Sequence, residues 1–116
     1  MESFKYAFEG LAYIFKSQRN FKVHITVALA AVILAYFLSF TPVEWTALFI
    51  IIGLVLTAEA FNTAIEKAVD CATKEFDPNA KMAKDSAAAA VLIMSFAAVA
   101  IGVVLFGLKL MNVFFS

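Results

Sequence analysis

The chain has 116 residues, of which 64% are hydrophobic and 15% aromatic, and its nine basic residues balance nine acidic ones. This composition is too apolar for a soluble domain of this size and predicts an integral membrane protein. It excludes three other features: there is no basic cluster for a nucleic-acid partner, no Cys/His spacing for zinc, and only Cys71 for a disulfide.

The first predicted element is an amphipathic surface helix over residues 3–18. Apolar residues recur there at spacings of three and four, from Phe4 to Phe15, while charged residues fall largely on the other face. Such a helix is suited to lie in the plane of the lipid headgroups. The polar leader is too long for a signal peptide, and the next apolar run lacks a small-residue cleavage pattern, so we expect the whole chain to be mature protein.

Three apolar runs are long enough to cross a bilayer, over residues 23–40, 45–71 and 85–108. Thr41 is a candidate N-cap for the second run, Pro42 suits the first helical position, and Trp45 is an interface anchor. The segment from Lys74 to Lys84 is the predicted connection to the third run, broken by Pro78. The predicted fold class is therefore an all-α membrane protein that forms a single domain.

Lysine and arginine are concentrated toward one end of the predicted bundle. Eight of the nine lie in the leader or around the second connection, and only Lys109 follows the third span. The positive-inside rule then predicts a cytosolic N-terminus and an external C-terminus. We therefore expect a multi-pass protein whose polar chemistry faces the cytosol.

The second predicted span carries a polar stripe, defined here as Glu59, Asn62, Glu66 and Asp70. At about 100° per residue, Glu66 and Asp70 lie about 20° to either side of Glu59, and Asn62 lies about 60° away. An acid at the middle of a span costs about 2.5 to 3.5 kcal/mol, so several on one helix indicate a function or a partner. Because three spans cannot bury the stripe from lipid on all sides, we expect a homo-oligomer with the stripe at a subunit interface.

The polar stripe offers groups that phosphoryl transfer requires. Carboxylates near the membrane surface can hold Mg²⁺ with substrate phosphates, and a deeper carboxylate can accept the proton of an attacking hydroxyl. Lys84, expected beside the N-terminus of the third span, supplies a cation for phosphate oxygens. The chain has no P-loop and no glycine-rich nucleotide motif. Two alternatives are a small transporter, in which Glu59 binds a cation, and a structural membrane subunit.

The sequence closely resembles the prokaryotic diacylglycerol kinase and undecaprenol kinase family through two motifs, Glu59-x-x-Asn62-Thr63-Ala64-Ile65-Glu66-x-x-Val69-Asp70 and Ala83-Lys84-Asp85-x-x-Ala88-Ala89-Ala90-Val91. The resemblance covers nearly the whole chain, including residues 17–24 and the three-span layout. It implies a homotrimer in the bacterial inner membrane, with active sites between subunits at the cytosolic face. The implied reaction transfers the γ-phosphoryl group of MgATP to the hydroxyl of undecaprenol or diacylglycerol.

The resemblance also implies residue roles. Glu59 corresponds to the general base and Glu66 to a Mg²⁺ ligand, while Gln18 occupies a Mg²⁺ position where the family often has Glu. Nucleotide or phosphate contacts are implied for Asn62, Asp70, Glu75, Lys84 and Asp85, and either contact with nucleotide phosphate or surface anchoring is open to Arg19 and Lys22. Because an amide oxygen can still coordinate but brings no negative charge, Gln18 predicts either weaker metal binding or a shell completed by water or ATP.

Two further positions bear on substrate and nucleotide. Asp77 stands in the connection where the family commonly has His, which alters the expected nucleotide contacts there. Residues 19–24 are more similar to the undecaprenol kinase branch, and this favours undecaprenol as the acceptor. We interpret His24 as an interfacial or interhelical hydrogen-bonding residue rather than a catalyst.

Overall fold

The computed structural model describes residues 2–115, and the regular secondary structure in that range is entirely helical. Its four helices are α1 (Glu2–Ser17), α2 (Arg19–Phe37), α3 (Pro42–Ala72) and α4 (Pro78–Phe115). Of these described helices, α2, α3 and α4 are long and apolar enough to cross a membrane. The predicted class, an all-α membrane protein with one amphipathic helix and three spanning helices, is confirmed.

Helix α1 lies against α2 and α3 with none of its residues buried. Two aromatic contacts hold it there. Lys22 Nζ of α2 lies 5.9 Å from the centre of the Phe15 ring, and Lys67 Nζ of α3 lies 5.8 Å from the centre of the Tyr13 ring. The hydrogen bond from Lys67 lowers the pKa of the Tyr13 phenol. Helix α1 is thus attached to the same half of α3 that carries the polar stripe.

The first spanning helix is displaced toward the N-terminus from its predicted range of 23–40. Only Gln18, with extended backbone, separates α1 from α2, and α2 ends at Phe37. Its end is a Schellman-type turn in which Ser39 takes a φ of 56° and the Phe40 amide donates to the Ala35 carbonyl at 3.2 Å. Glycine usually marks such a turn, but this chain has Ser39 there. The apolar pattern alone therefore predicted the end of the first spanning helix too late in the sequence.

Helix α3 begins with a reciprocal capping box. The Thr41 hydroxyl accepts a hydrogen bond from the Glu44 amide at 3.2 Å, and the Glu44 carboxylate accepts one from the Thr41 amide at 2.8 Å. Pro42 occupies the first turn, as predicted. The buried face of α3 recurs at spacings of three and four and consists of Leu48, Ile51, Val55, Glu59 and Thr63. Two polar residues therefore continue the apolar packing face.

Helix α4 begins earlier than the predicted span of 85–108, because Pro78 starts the helix instead of breaking the connection. The Asp77 carboxylate accepts hydrogen bonds from the Asn79 and Ala80 amides at 2.7 and 3.2 Å, which caps the new helix, and proline is favoured at the first helical position. Helix α4 runs for 38 residues to Phe115. At about 1.5 Å per residue it is roughly 57 Å long, well beyond a hydrocarbon core of about 30 Å.

A polar clasp ties the bundle together at the end formed by the α2–α3 turn. Lys109 Nζ of α4 lies 3.0 Å from the Glu44 carboxylate and donates a hydrogen bond to the Ser39 carbonyl at 3.2 Å. Next to this clasp, Phe40 packs against Trp45 and Phe106. The opposite end of the bundle carries the α1–α2 junction, the polar stripe and the α3–α4 connection.

Candidate active site

Glu59 is buried inside a single chain, with only 3% of its surface exposed. Its Oε1 atom lies 3.2 Å from Nε2 of His24 on α2, and the Thr63 hydroxyl donates to the Glu59 backbone carbonyl at 3.0 Å. The expectation that the stripe needs a subunit interface for burial is therefore wrong for Glu59. Packing of α3 into the bundle already shields this acid, so its burial is no argument for an oligomer.

Two buried side-chain oxygens lack a hydrogen-bond partner among the described residues, Glu59 Oε1 and Asn62 Oδ1. His24 is close enough to Glu59 for an ion pair, but the two groups are not aligned as a hydrogen bond. The Asn62 amide nitrogen donates to Glu66 Oε1 at 3.4 Å. Because buried polar atoms are normally satisfied, these two oxygens are available to an incoming donor or cation.

The residues predicted to hold Mg²⁺ supply only part of a coordination shell within one chain. Glu66 is half-buried and accepts a hydrogen bond from the Asn62 amide nitrogen, while the side-chain oxygen of Asn62 has no partner among the described residues. Gln18 is the N-cap residue of α2, and its side chain makes no capping hydrogen bond to that helix. Between residues 2 and 115 no three His, Cys, Asp or Glu side chains cluster as a metal site. This donor set fits Mg²⁺, which usually keeps several waters and binds through one or two carboxylates plus substrate phosphates.

An open polar cavity of about 570 Å³ lies between the end of α3 and the start of α4. Its charged and hydroxyl-bearing lining residues are Asp70, Thr73, Lys74, Glu75, Asp77, Lys81, Lys84 and Asp85. The predicted nucleotide-side residues Asp70, Glu75, Lys84 and Asp85 therefore share this cavity. Asn62 and Glu66 lie further along α3 and do not line it.

Two ion pairs arrange the cations of this cavity. Lys84 Nζ lies 2.6 Å from Asp70 across the α3–α4 connection, and Lys81 Nζ lies 2.5 Å from Asp85 one turn along α4. Lys84 and Asp85 therefore do not pair with each other, although they are adjacent in sequence. Lys84 also lies well inside α4, whose first residue is Pro78, so the predicted placement beside a helix N-terminus is wrong.

The sequence-based prediction missed several residues that line the cavity, among them Lys81, Thr73 and Phe76. Lys81 was detectable, because it precedes Asp85 by four residues on a helix. Thr73, whose hydroxyl accepts a hydrogen bond from the Glu75 amide at 3.2 Å, shapes the connection without a sequence signature of its own. Phe76 lines the same cavity with 80% of its surface exposed, and exposure of an aromatic residue in a connection is not readable from composition.

The basic residues of the α1–α2 junction lie apart from the cavity. Arg19 is the first residue of α2 and is exposed, and exposed Lys22 is placed over the Phe15 ring. Neither residue lines the polar cavity. Within one chain, the cavity thus brings together Asp70, Glu75, Lys84 and Asp85, but not the predicted contacts Asn62, Arg19 and Lys22.

An apolar groove of about 260 Å³ runs between α2, α3 and α4. Its walls include Ala28 and Ala31 of α2, Val55 of α3 and Gly102 of α4, and His24 is the polar residue of its lining. The same imidazole therefore faces both this groove and the carboxylate of Glu59. The chain thus offers an apolar path that ends beside a buried acid.

Comparison with known proteins gives matches along nearly the whole chain. The family model described as prokaryotic diacylglycerol kinase matches residues 5–106. The chain is 37% identical to an undecaprenol kinase of Bacillus subtilis over 109 residues, which cover 94% of this chain and 89% of that protein.

Two proteins named diacylglycerol kinase show comparable identity over shorter matches. One from Synechocystis is 39% identical over 101 residues, covering 86% of this chain and 58% of that protein. One from Helicobacter pylori is 39% identical over 88 residues, covering 76% of this chain and 69% of that protein. The chain therefore spans somewhat more than half the length of the Synechocystis relative.

Proposed function

Because this chain belongs to the prokaryotic diacylglycerol kinase family and is a lipid kinase, we propose that it transfers the γ-phosphoryl group of MgATP to the primary hydroxyl of a membrane lipid, with undecaprenol preferred over diacylglycerol. The observation that carries this proposal is the buried carboxylate of Glu59, which lies beside an apolar groove and on the same face of α3 as the residues of the polar cavity. A lipid tail can thus approach this face of α3 from the apolar groove, and a nucleotide can approach it from the polar cavity.

Glu59 is the proposed general base. Its Oε1 atom is buried and lacks a hydrogen bond, so it is free to accept one from a lipid hydroxyl. As the hydroxyl oxygen attacks the phosphorus, its proton passes to the Glu59 carboxylate. Burial excludes water, a competing acceptor that would otherwise turn phosphoryl transfer into hydrolysis.

Lys84 and Lys81 are the proposed cations for the nucleotide phosphates. Each is held by a carboxylate, Asp70 or Asp85, and each side chain is between about 40 and 60% exposed, so that phosphate oxygens can replace or join these partners. Asp70 then keeps Lys84 in place between turnovers. We also assign Glu75 to the nucleotide contacts, since it lines the same cavity.

Glu66, Asn62 and Gln18 would hold Mg²⁺ through their side-chain oxygens. When bound, the metal would neutralise negative charge on the phosphate oxygens during transfer. Asn62 contributes by orienting Glu66, through the hydrogen bond from its amide nitrogen, and by presenting its unpartnered oxygen. Gln18 supplies a neutral ligand, which predicts a lower metal affinity than a carboxylate would give.

The proposed setting is the bacterial inner membrane, with the active site at the cytosolic face of a homotrimer. The distribution of basic residues supports the orientation, since the end with the polar cavity also carries the α1–α2 junction and most of the lysines. The trimer is supported by the family, and it would let Arg19 and Lys22 of one subunit reach a cavity that they do not line in their own chain. Undecaprenol is favoured by residues 19–24 and by the extent of the match to the undecaprenol kinase.

The test is transfer of labelled γ-phosphate from MgATP to undecaprenol and to diacylglycerol, assayed in parallel with purified protein in mixed micelles. We expect labelled lipid with both acceptors and a higher kcat/KM with undecaprenol. Equal or reversed rates would reject the substrate preference. Absence of labelled lipid with folded protein would reject the proposed reaction and favour a transporter.

A further inference from the structure

A buried general base needs a route by which its proton leaves. Under the proposed function, on which this inference rests, Glu59 gains a proton at every turnover, yet only 3% of its surface is exposed. Among the described residues, the Glu59 carboxylate lies within ion-pairing distance of His24. The acid must lose that proton before the next acceptor can react.

His24 lies between the buried acid and the protein surface. Its Nε2 atom is 3.2 Å from Glu59 Oε1, while 26% of its own side chain is exposed. Histidine exchanges protons readily near neutral pH, and His24 is the one histidine of the chain. The ring is therefore the partly exposed titratable group that lies next to the buried carboxylate.

The surroundings of the ring provide no competing partner in the described part of the chain. From α3 it is Glu59 that faces the imidazole, and from α4 the groove presents apolar residues, including Ala98, Val99 and Gly102. No hydrogen bond or ion pair joins His24 to a residue of α1 between Glu2 and Ser17. Among the described residues, His24 is therefore the side chain that can accept the proton of Glu59.

We propose that His24 is a positioning residue that orients the Glu59 carboxylate and carries its proton to solvent after phosphoryl transfer. In the transfer step, the acceptor O–H bond breaks, a P–O bond forms, ADP departs with its bonding electron pair, and the proton binds Glu59. In the relay step, the Glu59 O–H bond breaks and an N–H bond forms at Nε2. The imidazolium then releases a proton to water at its exposed edge, and solvent exchange restores the neutral tautomer that accepts at Nε2.

The imperfect alignment of the two groups is consistent with this role. An unaligned contact of 3.2 Å leaves Glu59 Oε1 available to the lipid hydroxyl, since the oxygen is not committed to His24. A purely structural His24 would instead be expected to satisfy that buried oxygen with a full hydrogen bond.

The experiment compares three variants of the full chain in the lipid kinase assay. His24→Ala removes the relay, His24→Gln keeps a hydrogen-bond donor without a titrating group, and Thr26→Ala is the control. Thr26 is exposed on the same helix, and its hydroxyl only donates to the Lys22 carbonyl. We expect kcat to fall on the order of 10- to 100-fold in both His24 variants, with KM for MgATP unchanged, and to stay at the wild-type value in Thr26→Ala.

Added imidazole separates a relay from a structural role. We expect it to restore kcat of His24→Ala in a saturable way, because the site beside the apolar groove admits a small ring, and to leave His24→Gln unimproved. Wild-type kcat in His24→Gln would overturn the relay, as would a folded His24→Ala that is slow and insensitive to imidazole. If His24→Ala fails to fold, His24→Gln decides the question. A wild-type protein that phosphorylates no lipid would instead refute the proposed function.

Discussion

Replacing Glu59 with glutamine removes the buried negative charge and keeps nearly the same side-chain volume. If Glu59 is the general base, the acceptor hydroxyl loses the group that takes its proton. General-base catalysis contributes about 10²- to 10⁴-fold, which corresponds to about 3 to 5 kcal/mol in the activation free energy. We therefore expect kcat to fall by about that factor and KM for MgATP to change little, since the polar cavity lies elsewhere on α3.

The same substitution should not destabilise the fold. Removing one partner of a buried ion pair is costly when it leaves the other charge buried and unpaired. Here the partner is His24, whose side chain is 26% exposed, so no fully buried partner is left behind. We expect the midpoint of thermal unfolding in micelles to be unchanged or raised.

The assay measures initial rates of lipid phosphorylation over a range of MgATP and undecaprenol concentrations, together with thermal unfolding. The matched control is Glu44→Gln, the same replacement on the same helix at the opposite end. It removes the negative charge that pairs with Lys109 and keeps an oxygen that can accept the capping-box hydrogen bond from the Thr41 amide, so it should lower stability slightly and leave kcat unchanged. A Glu59→Gln protein with near-wild-type kcat, or with a loss of activity explained by unfolding, would refute the reasoning.

Four other substitutions test the remaining assignments. Glu66→Gln is expected to raise the Mg²⁺ concentration at half-maximal rate by about tenfold or more, and Gln18→Glu to lower it, both measured by Mg²⁺ titration. Lys84→Met should reduce kcat/KM for ATP by about 10- to 100-fold, as expected for loss of a hydrogen bond to charged phosphate. Lys109→Met should lower the free energy of unfolding by about 1 kcal/mol without changing kcat, because it affects only the clasp.

Each of these changes has an outcome that would contradict its assignment. An unchanged Mg²⁺ titration in both Glu66→Gln and Gln18→Glu would remove these positions from the metal site. For Lys84→Met, the control is Lys74→Met. Lys74 lines the same cavity, but it forms no ion pair with a described residue of α4. Equal losses in the two lysine variants would indicate a general effect of positive charge. A Lys109→Met protein with lowered kcat would connect the clasp to the active site.

The sequence allowed the helices and the stripe to be predicted because both depend on local periodicity. Apolar runs of spanning length and a repeat of 3.6 residues placed Glu59, Glu66 and Asp70 on one face of α3 before any packing was known. The ends of the helices were harder to predict from the sequence. The end of α2 depends on Ser39 in a left-handed conformation, and the start of α4 depends on Asp77 as a cap, so neither follows from hydropathy.

Contacts between helices could not be predicted, because they depend on how the helices cross. The pairing of Lys84 with Asp70 requires the connection to fold back across 14 residues, which no local pattern in the sequence indicates. The contact between His24 and Glu59 joins α2 to α3 over a larger separation. Burial of Glu59 was likewise misjudged, since the shielding comes from neighbouring helices and not from a second subunit.

The order of groups along α3 matches the order of reactants in phosphoryl transfer. Asp70 lies at the polar cavity, Glu66 is about 6 Å deeper along the helix axis, and Glu59 is about 10 Å deeper again. Under the proposed function, a nucleotide whose phosphates contact Lys84 and Lys81 in the polar cavity would extend its γ-phosphate along the stripe, past Glu66, toward a hydroxyl at Glu59. In the same proposal a lipid would arrive from the other direction, with its tail in apolar surroundings and its hydroxyl at the buried acid. The polar stripe would then separate the two reactants by depth, and each reactant would enter from the medium in which it dissolves.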